Sequence, residues 1–210
     1  YREGFQVDAS GQFLQVAGVP PDPYCEDGQR WGNPLYDWDA MAETGFDWWI
    51  RRVRRAFRLT DSVRIDHFIG ICRYWSIPAD AETARDGIWR DGPGQALFDA
   101  LTHALGSLSL VVEDLGPIDA NTRALQQHLT MPGMRVVQFG FGSGPNNEHL
   151  PENATELSLL YTSTHDSDTT RGWWDGLSPA LRAEVAPKDP NHPVDALIQR
   201  VLASPAIWAM

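Results

Sequence analysis

The sequence predicts an α/β fold built on a parallel sheet, and three observations lead to this prediction. Apolar runs that suit strands centre near residues 65, 111, 136 and 160. Helical patterns separate the later runs, and this alternation is the spacing of βαβ units, which need about 30 residues each. The runs are nearly continuous in apolar residues instead of alternating, as expected for strands that are covered on both faces.

The first part of the chain contains a long segment rich in Gly and Pro. We interpret residues 11–37 as an ordered loop with turn signals throughout, within which FLQVAG is a candidate strand. Long loops on compact domains are usually functional, so this loop is a candidate to line a substrate. Residues 38–59 have a helical pattern, and we interpret their basic cluster RRVRRAFR, at 51–58, as a solvated helix face. The strand SVRIDH follows.

The remaining elements alternate between helix and strand. The stretch GPGQALFDALTHALG predicts a helix that stops at Gly106, and the apolar run SLSLVVEDLG follows it. Asp119 can cap a helix that extends through Leu129, and MRVVQFGFG and LSLLYTSTHDSD are the third and fourth strands. SPALRAEV begins with Ser178 as N-cap and Pro179 at the first helical position, and PVDALIQRVLAS is a further helix.

Composition narrows the classes of protein that fit. The 210 residues have a formal net charge of -11, which argues against nucleic acid binding through phosphate neutralisation. No apolar run reaches the ~18 residues of a membrane span, and YREGFQVDAS is no signal peptide, so no membrane partner is expected. Cys25 and Cys72 lack the spacing of a disulfide framework or a zinc site, which fits a reducing cytoplasm. A start without Met, and an end at ASPAIWAM without a helix stop, suggest a piece of something longer.

Nine Trp residues are the unusual feature of the composition. Trp is rarely buried completely, because its N–H group needs a hydrogen-bond partner. Some of the nine are therefore expected to face a ligand, and their aromatic faces suit the apolar faces of pyranose rings.

Three of the predicted strands end in acids, namely Asp66, Glu113 and Asp166. The carboxyl ends of barrel strands form an active-site rim, so acids there indicate catalysis. Two chemistries fit three carboxylates around one cleft. One is glycosyl transfer with retention, and the other is an enolase-type reaction on Mg²⁺ with a Lys or His base. Lys188 is the only lysine and lies far from any strand end, which weakens the version with a lysine base.

Other short motifs give little support to further chemistries. GFGSG, at 140–144, lacks the Lys and the Ser or Thr of a phosphate-binding loop, and no GxSxG elbow is present for a serine hydrolase. His67 and His165, taken alone, are more typical of hydrogen-bonded cleft walls than of metal ligands.

A series of motifs runs in one order along most of the chain, from Asp8 to Trp174. The series is VAGVPPD, GQRWGNPLYDW, VRIDHF, YWSIPA, GPGQALFDAL, VVEDLG, MPGMRVVQFGF, LPEN and YTSTHDSDTTRGWW. Together these motifs resemble the 4-α-glucanotransferases, also called amylomaltases or disproportionating enzymes, of glycoside hydrolase family 77.

The resemblance implies a fold, an activity and roles for the three acids. It implies a (β/α)₈ TIM barrel, present here as a central fragment, with no metal and no organic cofactor. The enzyme would move α-1,4-glucan segments from a maltodextrin or starch-type donor to glucose or a maltooligosaccharide. By motif, Asp66 would be the nucleophile, Glu113 the general acid and base, and Asp166 the stabiliser of the transition state.

The resemblance also implies substrate contacts. Arg64 and His165 would bind the sugar at the cleavage point, and the loop at 19–31 would line the acceptor side and help to keep water out. The further substrate-binding candidates are Tyr24, Trp31, Asn33, His67 and Gln138.

The chain departs from the family pattern in places. Pro23 replaces one of a pair of aromatic residues, Ile69 replaces an Arg, and Glu152 replaces a His, and these departures bear on substrate preference. The family's first barrel strands and its last strand are missing from the two ends. The chain expressed alone is therefore expected to be inactive.

Three competing hypotheses remain open from the sequence. The first is an α-glucan hydrolase on the same scaffold, and the second is the Mg²⁺-dependent lyase. The third is a glucan-binding remnant without catalytic activity.

Overall fold

The computed structural model describes residues 2–23, 25–186, 189 and 191–210. The chain divides into two compact units. The first comprises residues 1–110 and 118–125, and the second comprises residues 111–117 and 126–210.

The first unit combines an antiparallel sheet with short helices. Its elements in chain order are β1 (Gln15–Val19), β2 (Gln29–Pro34), α1 (Trp38–Glu43), α2 (Asp47–Ala56), β3 (Val63–Ile65), α3 (Ile69–Cys72), β4 (Arg73–Pro78), β5 (Ile88–Asp91) and α4 (Gln95–Leu105). The sheet has the order β2-β1-β4-β5, with Ala17 opposite Ser76 and Gly18 opposite Trp75. A Cβ on Gly18 would clash with the Gln29 carbonyl oxygen, so only glycine fits between the strands.

Residues 11–37 contain β1 and β2, so the prediction of a loop over this whole segment was wrong. The candidate strand FLQVAG overlaps β1. Strand β2 was not predicted, because it lies at the edge of the sheet and is mostly exposed. An exposed edge strand has no run of apolar residues that would indicate it in the sequence. Gly and Pro cluster instead at the connection between the strands, where Gly28 has a φ of 65°. Tyr24, in this connection, lies outside the described residues.

The helical pattern of residues 38–59 forms two helices. The break between α1 and α2 falls at Gly45 and Phe46, whose φ angles of 61° and 59° are left-handed. The Asp37 carboxylate caps α1 by accepting the Ala40 N–H. The arginines of the 51–58 cluster are exposed, as predicted.

The acid-bearing strand β3 begins with a hydrogen bond from the Val63 N–H to the Ser109 carbonyl oxygen. It is followed closely by the fully buried Phe68, whose ring packs on that of Phe98 with centroids 5.9 Å apart. Leu97, Phe98 and Leu101 form the buried face of α4, as the sequence predicts. This packing fixes the end of β3, where Asp66 lies.

The second unit contains a parallel sheet. Its elements are β6 (Leu110–Val112), α5 (Ala120–His128), β7 (Gly133–Val136), β8 (Ser158–Tyr161), α6 (Thr170–Gly176), α7 (Pro179–Val185), α8 (Pro193–Leu202) and β9 (Trp208–Ala209), and β6 and α5 cross unit boundaries. The strand order is β6-β7-β8-β9, with parallel pairing throughout. Its hydrophobic core includes Val137, Leu160, Trp174, Val185 and Leu197.

The predicted α/β class and the parallel strands near 111, 136 and 160 are confirmed. The third strand is shorter than predicted, because MRVVQFGFG leaves the extended conformation after Val136 and forms a 3₁₀ turn over Val137–Phe139. The caps by Asp119 and Ser178 are confirmed. The antiparallel strands β4 and β5 and the short β9 were not predicted.

Two further observations concern the chain's environment. Both Cys25 and Cys72 are free thiols. Within the described residues, no helix has the length and apolar character that crossing a membrane requires.

Candidate active site

A cavity of about 490 Å³ in the first unit collects five of the predicted site residues. These are Trp31, Asn33, Arg64, Asp66 and His67. Much of the remaining wall is aromatic and includes Tyr36, Trp38, Trp49, Tyr74 and Trp75. Aromatic walls with a few charged groups are typical of sites that bind small molecules, including sugars.

Asp66 immediately follows β3 and points into solvent. Its side chain is 73% exposed, and Arg64 Nη2 lies 2.7 Å from its Oδ1. A carboxylate in this position keeps most of its hydration, so it avoids the cost of burying a charge at a strand end. The carboxylate is therefore open to a ligand and is oriented by a neighbouring guanidinium.

His67 turns back into the protein directly after Asp66. Its φ angle is 49°, a left-handed conformation that is uncommon for a residue other than glycine. Its half-buried ring meets the Trp31 indole edge-to-face, with ring centroids 4.9 Å apart. Burial lowers the pKa of His67 below its ordinary value, against the opposing charge of Asp66. The imidazole is therefore neutral near pH 7.

The cavity also contains a group that the sequence analysis missed. Arg52 Nη1 donates to the Tyr36 hydroxyl at 2.7 Å, and the guanidinium lies 5.3 and 5.1 Å from the Trp48 and Trp49 ring centroids. Trp49 is 8% exposed, and within the described part of the chain its Nε1 has no hydrogen-bond partner. The available signal was the pairing of WW with RR at 48–52, of which only the arginines entered a prediction, as part of a solvated helix face at 51–58.

The second unit presents its predicted residues at one edge of the parallel sheet. Glu113 directly follows β6, Gln138 follows β7, and Asp166 lies in the loop after β8. Because parallel strands end at the same edge, these residues share one rim. Glu113 is half-buried, and its Oε1 accepts the Leu115 N–H at 2.7 Å.

Gln138 is buried and links β7 to the loop after β8. Its Nε2 donates to the carbonyl oxygens of Thr162, at 3.1 Å, and Asp168, at 2.9 Å. The loop between these two carbonyls contains His165 and Asp166, whose Nε2 and Oδ2 atoms lie 3.2 Å apart. Gln138 thus fixes the loop that presents the third acid, and its predicted contact with substrate stays a prediction.

Asp114 anchors the strand end beside Glu113. It is 4% exposed, and its Oδ1 accepts the Met134 N–H at 2.7 Å while its Oδ2 accepts from Gln126 Nε2 at 3.0 Å. Arg135 Nη1 contacts both carboxylate oxygens. In the sequence, Asp114 is only the residue after Glu113 at the end of an apolar run, because its partners come from other elements.

The predicted site residues are thus divided between the units. Asp66 and its four neighbours belong to the first, whereas Glu113, Gln138, His165 and Asp166 belong to the second. Tyr24 is outside the described residues. In the part of the chain that the structure describes, no group of three or more His, Cys, Asp or Glu side chains could hold a metal ion.

Comparison with known proteins identifies similar sequences. The family model for 4-alpha-glucanotransferase, of glycoside hydrolase family 77, matches residues 1–210. The chloroplastic/amyloplastic 4-alpha-glucanotransferase of Solanum tuberosum is 46% identical over 184 residues, which are 88% of this chain and 32% of that protein. The 4-alpha-glucanotransferase of Thermus thermophilus is 46% identical over 186 residues, which are 88% of this chain and 37% of that protein. The chain thus spans about a third of the length of such relatives.

Solved structures agree with the sequence matches. The amylomaltase from Streptococcus agalactiae, in complex with acarbose, superposes with a TM-score of 0.93 at 37% identity, covering 99% of this chain and 43% of that one. The amylomaltase from Corynebacterium glutamicum gives a TM-score of 0.78 at 21% identity, covering 93% of this chain and 34% of that one. The second match shows the fold alone.

Proposed function

Because the chain belongs to the 4-alpha-glucanotransferase family, we propose that it provides the catalytic residues of an enzyme that transfers α-1,4-glucan segments with retention. The donor would be a maltodextrin or starch-type glucan, and the acceptor would be glucose or a maltooligosaccharide. The observation that supports this most directly is the exposed Asp66 carboxylate, oriented by Arg64 in a cavity with aromatic walls. Acarbose bound to the Streptococcus agalactiae amylomaltase supports a sugar ligand for this kind of site.

The first half of the proposed reaction transfers the donor to the protein. The Asp66 carboxylate attacks the anomeric carbon, and the bond from that carbon to the glycosidic oxygen breaks. Glu113 in its acid form gives its proton to the departing oxygen, so the shortened glucan leaves with a free 4-hydroxyl. Asp166 stabilises the positive charge that develops on the sugar ring.

The second half reverses these steps with a different sugar. Glu113, now a carboxylate, takes the proton from the 4-hydroxyl of the acceptor while that oxygen attacks the anomeric carbon. The ester bond to Asp66 breaks and its carboxylate is restored. Two inversions at one carbon give net retention, and water in place of the acceptor would give hydrolysis.

The remaining predicted residues are proposed to hold the glucan. Trp31, 45% exposed, offers an aromatic face to a pyranose ring, and Asn33 is exposed at the same cavity. His165 is exposed beside Asp166 and can donate to a sugar hydroxyl. We keep Tyr24 and Gln138 as proposed contacts on the family resemblance.

The complete fold, cellular location and glucan source are also proposals. Parallel strands that end in acids support a (β/α)₈ barrel of which these residues form the central part. Free thiols at Cys25 and Cys72 are consistent with a cytoplasmic location. Starch or glycogen would supply the maltodextrins.

The test is incubation with maltotriose, using the complete open reading frame that encodes these residues. A transferase gives glucose together with a ladder of longer oligomers, because each released glucose is matched by an extended acceptor. Glucose and maltose alone would show an α-glucan hydrolase, and binding without turnover would show a glucan-binding remnant. Activity should survive EDTA, and its loss would favour the Mg²⁺-dependent alternative.

A further inference from the structure

The end of β3 places two adjacent side chains in opposite environments. Asp66 is exposed, whereas His67 is half-buried and directed back into the unit. The reversal depends on the left-handed backbone of His67, whose φ is 49°. Such a conformation costs on the order of 1 kcal/mol for a residue other than Gly, Asn or Asp. The protein thus keeps a histidine where asparagine or glycine would relieve the backbone.

The ring of His67 lies in a space that the neighbouring helix leaves open. A Cβ on Gly70, in α3, would lie 2.9 Å from His67 Cδ2 and 3.6 Å from Nε2. Glycine at position 70 therefore lets the imidazole lie over the start of the helix. A larger residue would push the ring away from its present position.

The imidazole also contacts Trp31. The two rings meet edge-to-face at 4.9 Å and 81°. Trp31 belongs to the edge strand β2, and its Nε1 donates to Gln29 Oε1 at 3.1 Å, on its own strand. Contact with His67 links the exposed indole to the end of β3. Aromatic pairs of this geometry stabilise side-chain orientation beyond simple burial.

From this arrangement we propose that His67 is a positioning residue that holds the Trp31 indole at the cavity of Asp66. The inference rests on the proposed function and adds a specificity role for one residue. A sugar that packs on the held indole would be aligned with the Asp66 carboxylate, and the indole would keep water from that carboxylate. His67 therefore sets sugar affinity and the share of intermediate lost to water, without contacting the reacting atoms.

Two variants of His67 separate the ring from the backbone. His67→Asn tolerates the left-handed backbone and removes the ring, whereas His67→Phe keeps a flat ring that can pack on Trp31. In the protein encoded by the complete open reading frame, we expect His67→Asn to raise the KM for maltotriose about fivefold. We also expect it to release more free glucose than is accounted for by the longer oligomers that form. We expect the KM of His67→Phe for maltotriose to stay within about twofold of the wild-type value, because the contact between the rings remains. His103→Asn, on the exposed face of α4, is the matched control.

Gly70→Ala tests the same ring contact without changing His67 itself. The added methyl group would displace the imidazole, so Gly70→Ala should raise the KM for maltotriose as His67→Asn does. This variant keeps the proposal testable if the His67→Asn protein fails to fold. Equal KM values for His67→Asn, Gly70→Ala and His103→Asn would overturn the proposal. A loss in His67→Phe as large as that in His67→Asn would also overturn it.

A spectroscopic measurement separates this inference from the proposed function. Protein labelled with 5-fluorotryptophan gives a ¹⁹F resonance for Trp31 that Trp31→Phe assigns. We expect His67→Asn to shift this resonance and His103→Asn to leave it unchanged. If His67→Asn shifts the Trp31 resonance but the wild-type protein does not disproportionate maltotriose, the proposed function is refuted and the ring contact is supported. An unchanged resonance in active protein would refute the positioning role alone.

Discussion

Two aspartates in similar sequence positions have opposite environments. Asp66 and Asp114 both lie at strand ends, but Asp66 is largely exposed beside Arg64, whereas Asp114 is buried under hydrogen bonds from Gln126 and Met134. An exposed carboxylate keeps the freedom to meet a substrate, and a buried one gains stability only while its partners remain. The exposure of Asp66 supports its proposed chemical role, whereas the burial and hydrogen bonds of Asp114 indicate a structural role.

Removal of the Asp66 charge tests the chemical role. In the complete open reading frame, Asp66→Asn should lower turnover of maltotriose by roughly three orders of magnitude or more, because an amide cannot form the glycosyl ester. Maltotriose binding, measured by calorimetry, should change little. The exposed Asp61→Asn serves as control, and an Asp66→Asn protein with near-normal turnover would rule out this nucleophile.

The imidazole of His149 gives the fold a dependence on pH. Its Nδ1 accepts the Val136 N–H at 3.0 Å, which requires the unprotonated nitrogen. Burial and then the charge of Arg135 lower the pKa of His149 below its ordinary value of 6.5, against the opposing charges of Glu148 and Asp114. A histidine with a lowered folded pKa contributes its full stability above the unfolded pKa. That stability is lost as pH falls through the folded value.

We therefore expect the free energy of unfolding to decline as the pH falls below about 6.5. His149→Asn, whose amide oxygen can still accept the Val136 N–H, should reduce this decline. Urea unfolding at several pH values, with the exposed His128→Asn as control, measures the difference. Identical slopes for wild type and His149→Asn would contradict the assignment. The lowered pKa of His67 adds a decline of the same sign that this variant leaves in place.

The apolar runs were enough to predict the parallel strands β6, β7 and β8 and most of the helices. Long amphipathic helices such as α4, and continuous runs such as LVV in β6, encode their structure locally. The antiparallel strands β2, β4 and β5 could not be predicted in this way, because β2 and β5 are mostly exposed at the two sheet edges. Their pairing depends on partners distant in the chain.

The candidate site was predicted unevenly for the same reason. The acids at strand ends and the motif residues near them were identifiable, and five of those residues do line one cavity. Three contacts escaped prediction because each joins separate elements. They are the hydrogen bonds of Asp114, the hydrogen bonds of Gln138 to the loop after β8, and the hydrogen bond of Arg52 to Tyr36. No local spacing encodes such contacts, so only the folded structure shows them.

The buried hydrogen bonds of Asp114, which join the end of β6 to β7 and α5, should be sensitive to the replacement of one oxygen atom. Asp114→Asn replaces a charged acceptor with an amide N–H₂ that faces donors from Gln126 or Arg135, and it leaves Arg135 without its buried counterion. We expect a loss of about 3 kcal/mol in the free energy of unfolding, as for other broken buried pairs. Asp99→Asn, at an exposed position on α4, is the control. Equal free energies of unfolding for the two variants would refute the stabilising role of Asp114.

The two units each hold part of the proposed catalytic set. Asp66 belongs to the first unit, and Glu113 and Asp166 belong to the second. Because the chain spans 32% of the potato relative, further residues are available in such proteins to support the site. A site of this kind needs its groups held to within about 0.5 Å, so activity should depend on that support.

A measured distance tests the proposed pairing of acids. In an experimental structure of the complete protein, the carboxyl groups of Asp66 and Glu113 should lie about 5 to 5.5 Å apart, the separation of retaining enzymes. This separation lets one group attack while the other protonates the same bond. A well-ordered structure with a separation near ~9 Å would instead indicate inversion.

The 210 residues expressed alone should associate and show negligible transfer. The second unit's sheet ends at the two-residue strand β9, and Leu157, Ile207, Trp208 and Met210 near this edge are exposed apolar residues. Exposed apolar sheet edges favour association. Size-exclusion chromatography and a maltotriose assay measure both outcomes. A monomer with a sharp thermal transition and transfer at the rate of the complete protein would contradict this expectation.

The hydrogen bonds from Gln138 to the loop after β8 also limit where the genes of such proteins can be recombined. Its amide holds both ends of the segment from Thr162 to Asp168, although Thr162 lies 24 positions after Gln138 in the sequence. A crossover between two homologous genes placed inside that interval would inherit the loop from one parent and its anchor from the other. Shuffled libraries of this family should therefore retain more functional members when breakpoints fall before residue 137 or after residue 168, so that anchor and loop are inherited together.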